Sequence, residues 1–183
     1  MGKIAVIDTE TNWNDEVMSI GTIIADADTF LPLEMKYHVL PAQCQAGGKY
    51  TDALFIKTPV EPLLCSRDEA IADLRDWFRC NDVQRIYAYN ARFDLRHLPE
   101  LKDLAWYDIM EVAAYRQTNP KIPADAECCK SGRLKRDYNV ECMLRSLTGN
   151  CTYTETHNAI RDVVDELQIM RLIGQPLCCY KPL

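Results

Sequence analysis

The chain has 183 residues, of which 48% are hydrophobic and 26% are charged. These proportions exclude a disordered or fibrous protein, and the length suits one compact domain, predicted over residues 1–183. The net charge of −6 disfavours broad, charge-driven coating of nucleic acid. It does not exclude an enzyme that acts on nucleic acid, because bound cations would reverse the sign of the charge locally.

The sequence contains no apolar run of bilayer-spanning length and no secretory signal, so we expect no membrane association. Its nine cysteines are an odd number, which argues against a secreted disulfide scaffold. No Cys-x-x-Cys or Cys-x-x-His spacing of the kind found in zinc sites occurs. We therefore expect reduced thiols in a cytoplasmic protein.

Three strands are predicted in the first part of the chain. Residues 4–7 form a continuous apolar run typical of a strand that is buried on both faces, and residues 17–25 form a second strand. Residues 33–39 alternate between apolar and polar side chains, which predicts a third strand with one solvated face. The short polar segments between them favour an antiparallel meander.

Helices dominate the remainder of the prediction. Ser66 and Glu69 form a capping box ahead of a helical apolar stripe. The later segments, in chain order, are a strand at 86–89, a helix from about Asp94, helical spacing at 108–116, a polar loop at 119–138, a helix at 140–147 and a helix at 158–172. This order predicts an α/β fold: a mixed β-sheet flanked by α-helices, analogous to ribonuclease H.

Four carboxylates and a histidine lie in three separate segments. Asp8 and Glu10 follow the first strand, Asp94 follows the fourth, and His157 and Asp162 lie near the end of the chain. Like charges repel, so carboxylates gathered in one cleft need divalent cations to hold them together. Each signal alone has a simpler explanation: a solvated strand end, an acid at a helix N-terminus, or a surface histidine.

The last motif constrains its own geometry. On a regular helix, a separation of five residues puts His157 and Asp162 roughly 140° apart, so both cannot face one site from mid-helix. We therefore expect His157 to lie just outside the helix, with Thr154 or Thr156 as the N-cap. Two neighbouring acids are expected to be solvated or to act indirectly: Asp165 and Glu166.

Together the three segments resemble a known family. The motifs are Asp8-Thr9-Glu10-Thr11, residues 89–94 (Tyr-Asn-Ala-Arg-Phe-Asp) and residues 157–162 (His-Asn-Ala-Ile-Arg-Asp). In order and spacing they resemble the DEDD exonucleases of the histidine type (DEDDh), the group that contains ribonuclease T and the proofreading epsilon subunit of bacterial DNA polymerase III. The tyrosine branch has Tyr at the position of Asn158. The segment after Thr11 departs from the more usual Thr-Gly.

The resemblance implies a 3′–5′ exonuclease with two divalent ions, Mg²⁺ or Mn²⁺. Asp8, Glu10 and Asp162 would hold the ions with assistance from Asp94, and His157 would act as the general base. The substrate would be the 3′ end of single-stranded DNA or RNA, and the product a nucleoside 5′-monophosphate.

Other residues are candidates for contacting the substrate. Bases stack on apolar and aromatic surfaces, and Trp13 lies on a polar loop beside the acidic pair. For Phe93 and Ile20 a place in the core is an equal alternative. The full set of candidates is Thr9, Thr11, Trp13, Ile20, Tyr89, Asn90 and Phe93. A basic stretch is formed by Lys130, Arg133, Lys135 and Arg136. It predicts either a surface that contacts the phosphate backbone or a solvated loop.

Two other classes of function stay open at this point. One is a non-catalytic nucleic-acid-binding module that kept the fold, which the complete five-residue set disfavours. The other is a proofreading or adaptor subunit that docks on a polymerase, or a homo-oligomer, although only Cys178-Cys179-Tyr180 resembles an interaction tail.

Overall fold

A computed structural model describes residues 2–183. Its centre is a six-stranded mixed sheet with the strand order β4-β3-β2-β1-β5-β6. The strands are β1 (Lys3–Thr11), β2 (Val17–Asp26), β3 (Pro32–Val39), β4 (Leu63–Leu64), β5 (Arg85–Ala88) and β6 (Ala105–Asp108). β1, β2 and β3 pair antiparallel, and the other neighbours pair parallel. The predicted meander and the mixed α/β sheet are confirmed.

Helices cover both faces of the sheet. They are α1 (Pro41–Cys44), α2 (Arg67–Cys80), α3 (Ala91–His97), α4 (Met110–Ala113), α5 (Val140–Thr148) and α6 (Ala159–Ile173). One face packs against α5 and α6, and the opposite face packs against α2. Among residues 2–183, no helix combines the length and hydrophobicity that crossing a bilayer requires.

Side-chain alternation along β1 connects the core to the acidic pair. Ile4 and Val6 pack in the core beneath α5 and α6, whereas Ala5 and Ile7 pack on the side of α2. Because successive side chains of a strand point to opposite faces, Asp8 and Glu10 continue the α6 side. The buried apolar run therefore aims both carboxylates at α6.

The helix boundaries follow the expected end signals. The Ser66–Glu69 capping box is present at the start of α2, and Gly149 and Gly174 end α5 and α6 in the left-handed conformation. The N-cap of α6 is Asn158, whose side chain accepts from the amide of Arg161, so the prediction of Thr154 or Thr156 was wrong.

The predicted solvated face of the third strand is only partly solvated: Glu34 is exposed, but the end of the strand at His38 is buried. His38 is 1% exposed because α2 covers this side, where Asp73 lies 2.9 Å from the imidazole Nε2. Leu33, on the face expected to be buried, is 46% exposed near the start of the strand. The periodicity identified the strand but not which of its faces the helices cover.

Two further segments differ from the prediction. The helix expected from about Asp94 begins at Ala91, so Asp94 lies in its first turn. The helical spacing at 108–116 corresponds only to the short helix α4, and strand β6 precedes it. The polar segment 119–138 forms turns, as expected, and all nine cysteines are free.

Candidate active site

Three elements bring the motif residues to one edge of the sheet. β1 and β5 run parallel, so their carboxyl ends meet there. β1 carries Asp8 and Glu10, α3 follows β5 and carries Asp94, and α6 carries Asp162 across the end of β1. The cleft between them has a volume of about 460 Å³. Its walls are formed by Asp8, Thr9, Glu10, Thr11, Asn12, Trp13, Asp15, Lys49, Tyr50, Phe93, Glu155, His157 and Asp162.

The donor atoms of three residues lie close enough to share one cation. A ligand atom from each of Glu10, His157 and Asp162 lies within 4.8 Å of the other two. Glu10 is 8% exposed and Asp162 is 4% exposed, so both carboxylates are withdrawn from bulk water. Asp94 lies beneath the cleft, 1% exposed, and accepts a 2.8 Å hydrogen bond from the hydroxyl of Thr9.

Several oxygens of this cluster lack hydrogen-bond donors. Asp8 Oδ2, Asp162 Oδ1 and Glu166 Oε2 are shielded from solvent and have no partner among residues 2–183. A buried acceptor without a donor costs free energy, and a buried unpaired carboxylate costs considerably more. These oxygen donors suit a hard divalent cation, so the residues fit a divalent-cation site.

The electrostatics of the cluster lead to the same conclusion. Burial, followed by the charges of Glu155 and Asp94, raises the pKa of Glu10 to about 7. Burial raises the pKa of Asp94 to about 7 despite the Thr9 hydrogen bond. Burial and the nearby Glu155 raise the pKa of Asp162 to about 9. Because the causes are desolvation and like charge, a bound cation would reverse these shifts.

His157 lies immediately before the N-cap of α6, outside the helix, as the sequence predicted. Its backbone φ of +52° is in the left-handed region, and its half-buried ring stacks on Tyr50. Burial, followed by the positive charge of Lys49, lowers the pKa of the imidazole below its ordinary value. The ring is therefore mainly neutral at pH 7 and able to accept a proton.

The candidate substrate contacts divide into two groups. Thr9, Thr11, Trp13 and Phe93 line the cleft, and Trp13 is 71% exposed at its mouth. The remaining three do not line it: Ile20, Tyr89 and Asn90.

The structure explains why these three residues lie elsewhere. Ile20 has no exposed surface because β2 directs it into the core beside α2, so its prediction as a base-contacting residue is corrected. Tyr89 donates its hydroxyl to the carbonyl of Tyr138. Asn90 adopts a φ of +63° at the start of α3 and donates its amide to Asp108.

The basic stretch also lies away from the cleft. None of Lys130, Arg133, Lys135 and Arg136 lines it. Lys135 and Arg136 approach Glu127 at 3.9 and 3.5 Å, and the guanidinium of Arg133 lies 4.8 Å from the ring of Tyr138. Their positions favour the alternative of a solvated loop.

Four residues of the site were missed or misjudged in the sequence. Glu155 lies two residues before His157 on an extended segment, the same spacing that pairs Asp8 with Glu10. Glu166 was expected to be solvated or to act indirectly; it is 2% exposed, because it lies one helical turn after Asp162 on the same side, so the solvated alternative is wrong and the indirect one stays a prediction. Lys49 and Tyr50 come from a loop without periodicity, so no comparable signal marked them.

The comparisons with known proteins agree with this geometry at the level of the fold. No protein-family model matches the sequence, and no curated protein matches it. Among solved structures, the chain is similar to the nuclease domain of 3′hExo, a DEDDh family member, bound to rAMP. The TM-score is 0.65 at 13% identity, over 99% of this chain and 96% of that one.

Bacterial exonucleases are also similar in structure. E. coli Exonuclease I in complex with a dT13 oligonucleotide has a TM-score of 0.63 at 14% identity, and Exonuclease I from Methylocaldum szegediense a TM-score of 0.61 at 16% identity. The matches cover 98% and 94% of this chain but only 42% and 40% of those chains. This chain therefore has the ribonuclease H-like fold of DEDDh exonuclease domains.

Proposed function

We propose that this protein is a metal-dependent 3′–5′ exonuclease that acts on single-stranded DNA or RNA. One observation carries the proposal: Glu10 and the distant motif that contains His157 and Asp162 present donor atoms within 4.8 Å of one another in one cleft. A stability role for this cluster is disfavoured, because buried unpaired carboxylates are costly. The likeness in fold to DEDDh nucleases supports the same activity.

Asp8, Glu10 and Asp162 would hold two divalent ions, with Asp94 assisting directly or through water. When bound, such ions acidify the attacking water and neutralise charge that develops on the phosphate. We propose Mg²⁺ or Mn²⁺ as the ions, and the oxygen-rich donor set supports that choice. Thr9 fixes the carboxylate of Asp94 through its 2.8 Å hydrogen bond.

His157 would act as the general base. Its neutral imidazole takes a proton from the water while the water oxygen forms a bond to phosphorus. The bond between phosphorus and the 3′-oxygen of the preceding nucleotide breaks, and that oxygen leaves and takes a proton from solvent, to which His157 then releases its own. The phosphate stays on the 5′-oxygen of the released nucleotide, so the product is a nucleoside 5′-monophosphate.

Trp13 and Phe93 would contact the terminal bases, since both line the cleft beside the acidic cluster. Lys49 would contact a phosphate, because it adds a positive charge to a cleft that is otherwise acidic. Single strands fit this arrangement better than duplexes, since unpaired bases expose the faces that stack on aromatic side chains.

The test is digestion of 5′-end-labelled DNA and RNA oligonucleotides with and without Mg²⁺ or Mn²⁺. We expect a ladder that shortens from the 3′ end, release of nucleoside 5′-monophosphates, and no digestion in EDTA. Asp8→Asn and Asp162→Asn are expected to be inactive but folded. Asp76→Asn is the matched control, because Asp76 is 71% exposed in a surface ion pair on α2. Internal cleavage, or full activity of Asp8→Asn, would contradict the proposal.

A further inference from the structure

The ring of Tyr50 lies flat against the imidazole of His157. The ring centroids are 3.9 Å apart and the planes are inclined by 17°. We propose that Tyr50 is a positioning residue that holds the His157 imidazole in the orientation needed to reach the acidic cluster. The proposal rests on the proposed nuclease function and adds a residue that belongs to none of the three sequence motifs.

The side chain of His157 needs support from outside α6. It precedes α6 rather than belonging to it, and its φ of +52° is uncommon for a residue with a Cβ. The other two histidines are held by ring nitrogens: His38 by Asp73 at 2.9 Å, and His97 by Asp15 at 3.0 Å and by the carbonyl of Phe93 at 2.9 Å. For His157, the ring contact that the structure provides is the stack on Tyr50.

The segment that carries Tyr50 is anchored to the end of β1. The amide of Trp13 donates to the carbonyl of Gly47 at 2.9 Å. Gly48 packs so closely that a Cβ there would lie 2.7 Å from the carbonyl oxygen of Thr11. The amide of Gly48 donates to the hydroxyl of Thr51 at 2.6 Å, which closes the turn around Tyr50.

The same segment is also tied to the start of α6. The side-chain amide of Asn158, the residue next to His157, donates to the carbonyl of Ala53 at 2.7 Å. The guanidinium of Arg161 donates to the carbonyl of Lys57 at 2.9 Å. Tyr50 and His157 are therefore joined through their neighbours as well as through their rings, so their relative position is well defined.

A face-to-face stack has a specific chemical consequence. It occupies the flat face of the imidazole and leaves the ring edge, with its nitrogens, free to form hydrogen bonds. That edge places a ring nitrogen within 4.8 Å of donor atoms of Glu10 and Asp162. Small displacements of a catalytic group reduce rates strongly, by roughly a hundredfold for 1 Å.

The first experiment measures the stack without using activity. The protein has three histidines, so the ring-proton resonances of His157 are readily assigned by NMR. We expect them at high field in the wild type and in Tyr50→Phe, because both rings shield the imidazole, and at lower field in Tyr50→Leu. Tyr107→Leu is the matched control, since Tyr107 stacks on Tyr87 at 4.8 Å and 14°, away from the cleft. Unmoved His157 resonances in Tyr50→Leu would overturn the proposal.

The second experiment measures turnover. Tyr50→Leu is expected to lower kcat about tenfold or more with KM within about twofold, and Tyr50→Phe to restore kcat. In a His157→Ala background, Tyr50→Leu should cause no further loss, because the group it positions is gone. A raised KM with unchanged kcat would overturn the proposal in favour of a substrate contact. An inactive wild type would overturn the proposed nuclease function instead, and the NMR comparison would still decide whether Tyr50 orients His157.

Discussion

Gly21 on β2 lies in backbone contact with Ala159 at the start of α6. A Cβ at Gly21 would lie 2.1 Å from the carbonyl oxygen of Ala159, far closer than the non-bonded contacts that Cβ atoms make in proteins. Gly21 is also the residue paired with Asp8 across β1 and β2. The absence of a side chain at this one position lets α6 approach the strands and bring Asp162 towards Asp8.

Gly21→Ala is therefore expected to damage stability and activity together. The added methyl meets backbone atoms that cannot rotate away, so α6 must shift. Overpacking of this kind costs about 1–3 kcal/mol of unfolding free energy. Urea unfolding measures that loss. A nuclease assay without urea, where the variant is still folded, measures the effect on the site. Gly2→Ala is the control, because its Cβ would meet only the Cβ of Ala27 at 3.4 Å. Equal effects of the two substitutions would contradict the expectation.

Thr9→Val tests the support beneath the acidic cluster. The substitution keeps the shape of the side chain but removes the hydroxyl that donates to the buried carboxylate of Asp94. Leaving that acceptor unpaired is expected to cost about 1–3 kcal/mol in the metal-free protein and to reduce activity. Thr22→Val is a matched control: Thr22 is a fully buried strand residue whose hydroxyl has no partner among residues 2–183, so its removal should be close to neutral. A neutral Thr9→Val would show that the hydrogen bond does not support Asp94.

Periodicity explains why much of the sheet was predictable. The apolar run at 4–7 and the alternation at 33–39 each reflect a strand that must bury side chains. Such a pattern can therefore be recognised in the sequence before the fold is known. The four residues of β6, Ala105–Asp108, are too few to show a period, and β6 was missed; β5 is equally short and was identified from its short run at 86–89 rather than from a period. The exposure of Leu33 was equally hidden, since it depends on how much of that face of the sheet the helices cover rather than on the strand itself.

The residues of the site also divide into those that a sequence pattern marks and those that none marks. Residues near the end of a strand or on successive helical turns, such as Asp8 and Asp162, carry a local signal. Glu155 carried one that was overlooked, and Glu166 was named without its burial being predicted. Lys49 and Tyr50 carried no such sequence signal. Their place in the cleft is fixed by the close packing of Gly48 and by hydrogen bonds to the start of α6, which are contacts between segments far apart in sequence.

Without divalent ions, the stability of the protein is expected to fall as pH rises. Burial raises the pKa of Glu10 and Asp94 to about 7 and that of Asp162 to about 9 in the folded protein. Unfolded carboxylates ionise near pH 4, so between these values the folded state binds more protons, and the stabilisation present below about pH 4 is lost as pH rises.

The measurement is urea unfolding between pH 5 and pH 8 in EDTA and in excess Mg²⁺. We expect the free energy of unfolding to decrease with pH in EDTA and to recover at the alkaline end when Mg²⁺ is present, since bound cations favour the ionised carboxylates. Glu10→Gln should reduce the pH dependence in EDTA. Stability that increases with pH in EDTA would contradict the raised pKa values.

His157→Ala separates a proton acceptor from a metal ligand. The donor atoms of His157 lie near those of Glu10 and Asp162, so both roles are geometrically open. If His157 is the general base, kcat should fall about 10²–10⁴-fold while the affinity for Mn²⁺ changes little. Calorimetric titration of Mn²⁺ into the inactive variant makes the distinction. A large loss of Mn²⁺ affinity would identify His157 as a ligand.

Lys49→Met tests which basic group meets the substrate. Lys49 lines the cleft, whereas Lys130, Arg133, Lys135 and Arg136 do not. A single lost phosphate contact on a single strand is expected to raise KM about fivefold and to reduce the slope of log affinity against log salt concentration by about 0.7. Replacing all four residues of the basic stretch with Gln should change that slope less than Lys49→Met does, although it removes four times the charge. Binding of a single-stranded oligonucleotide to the Asp8→Asn background at several salt concentrations measures both slopes. A larger change in the fourfold variant would return the role of contacting the phosphate backbone to the basic stretch.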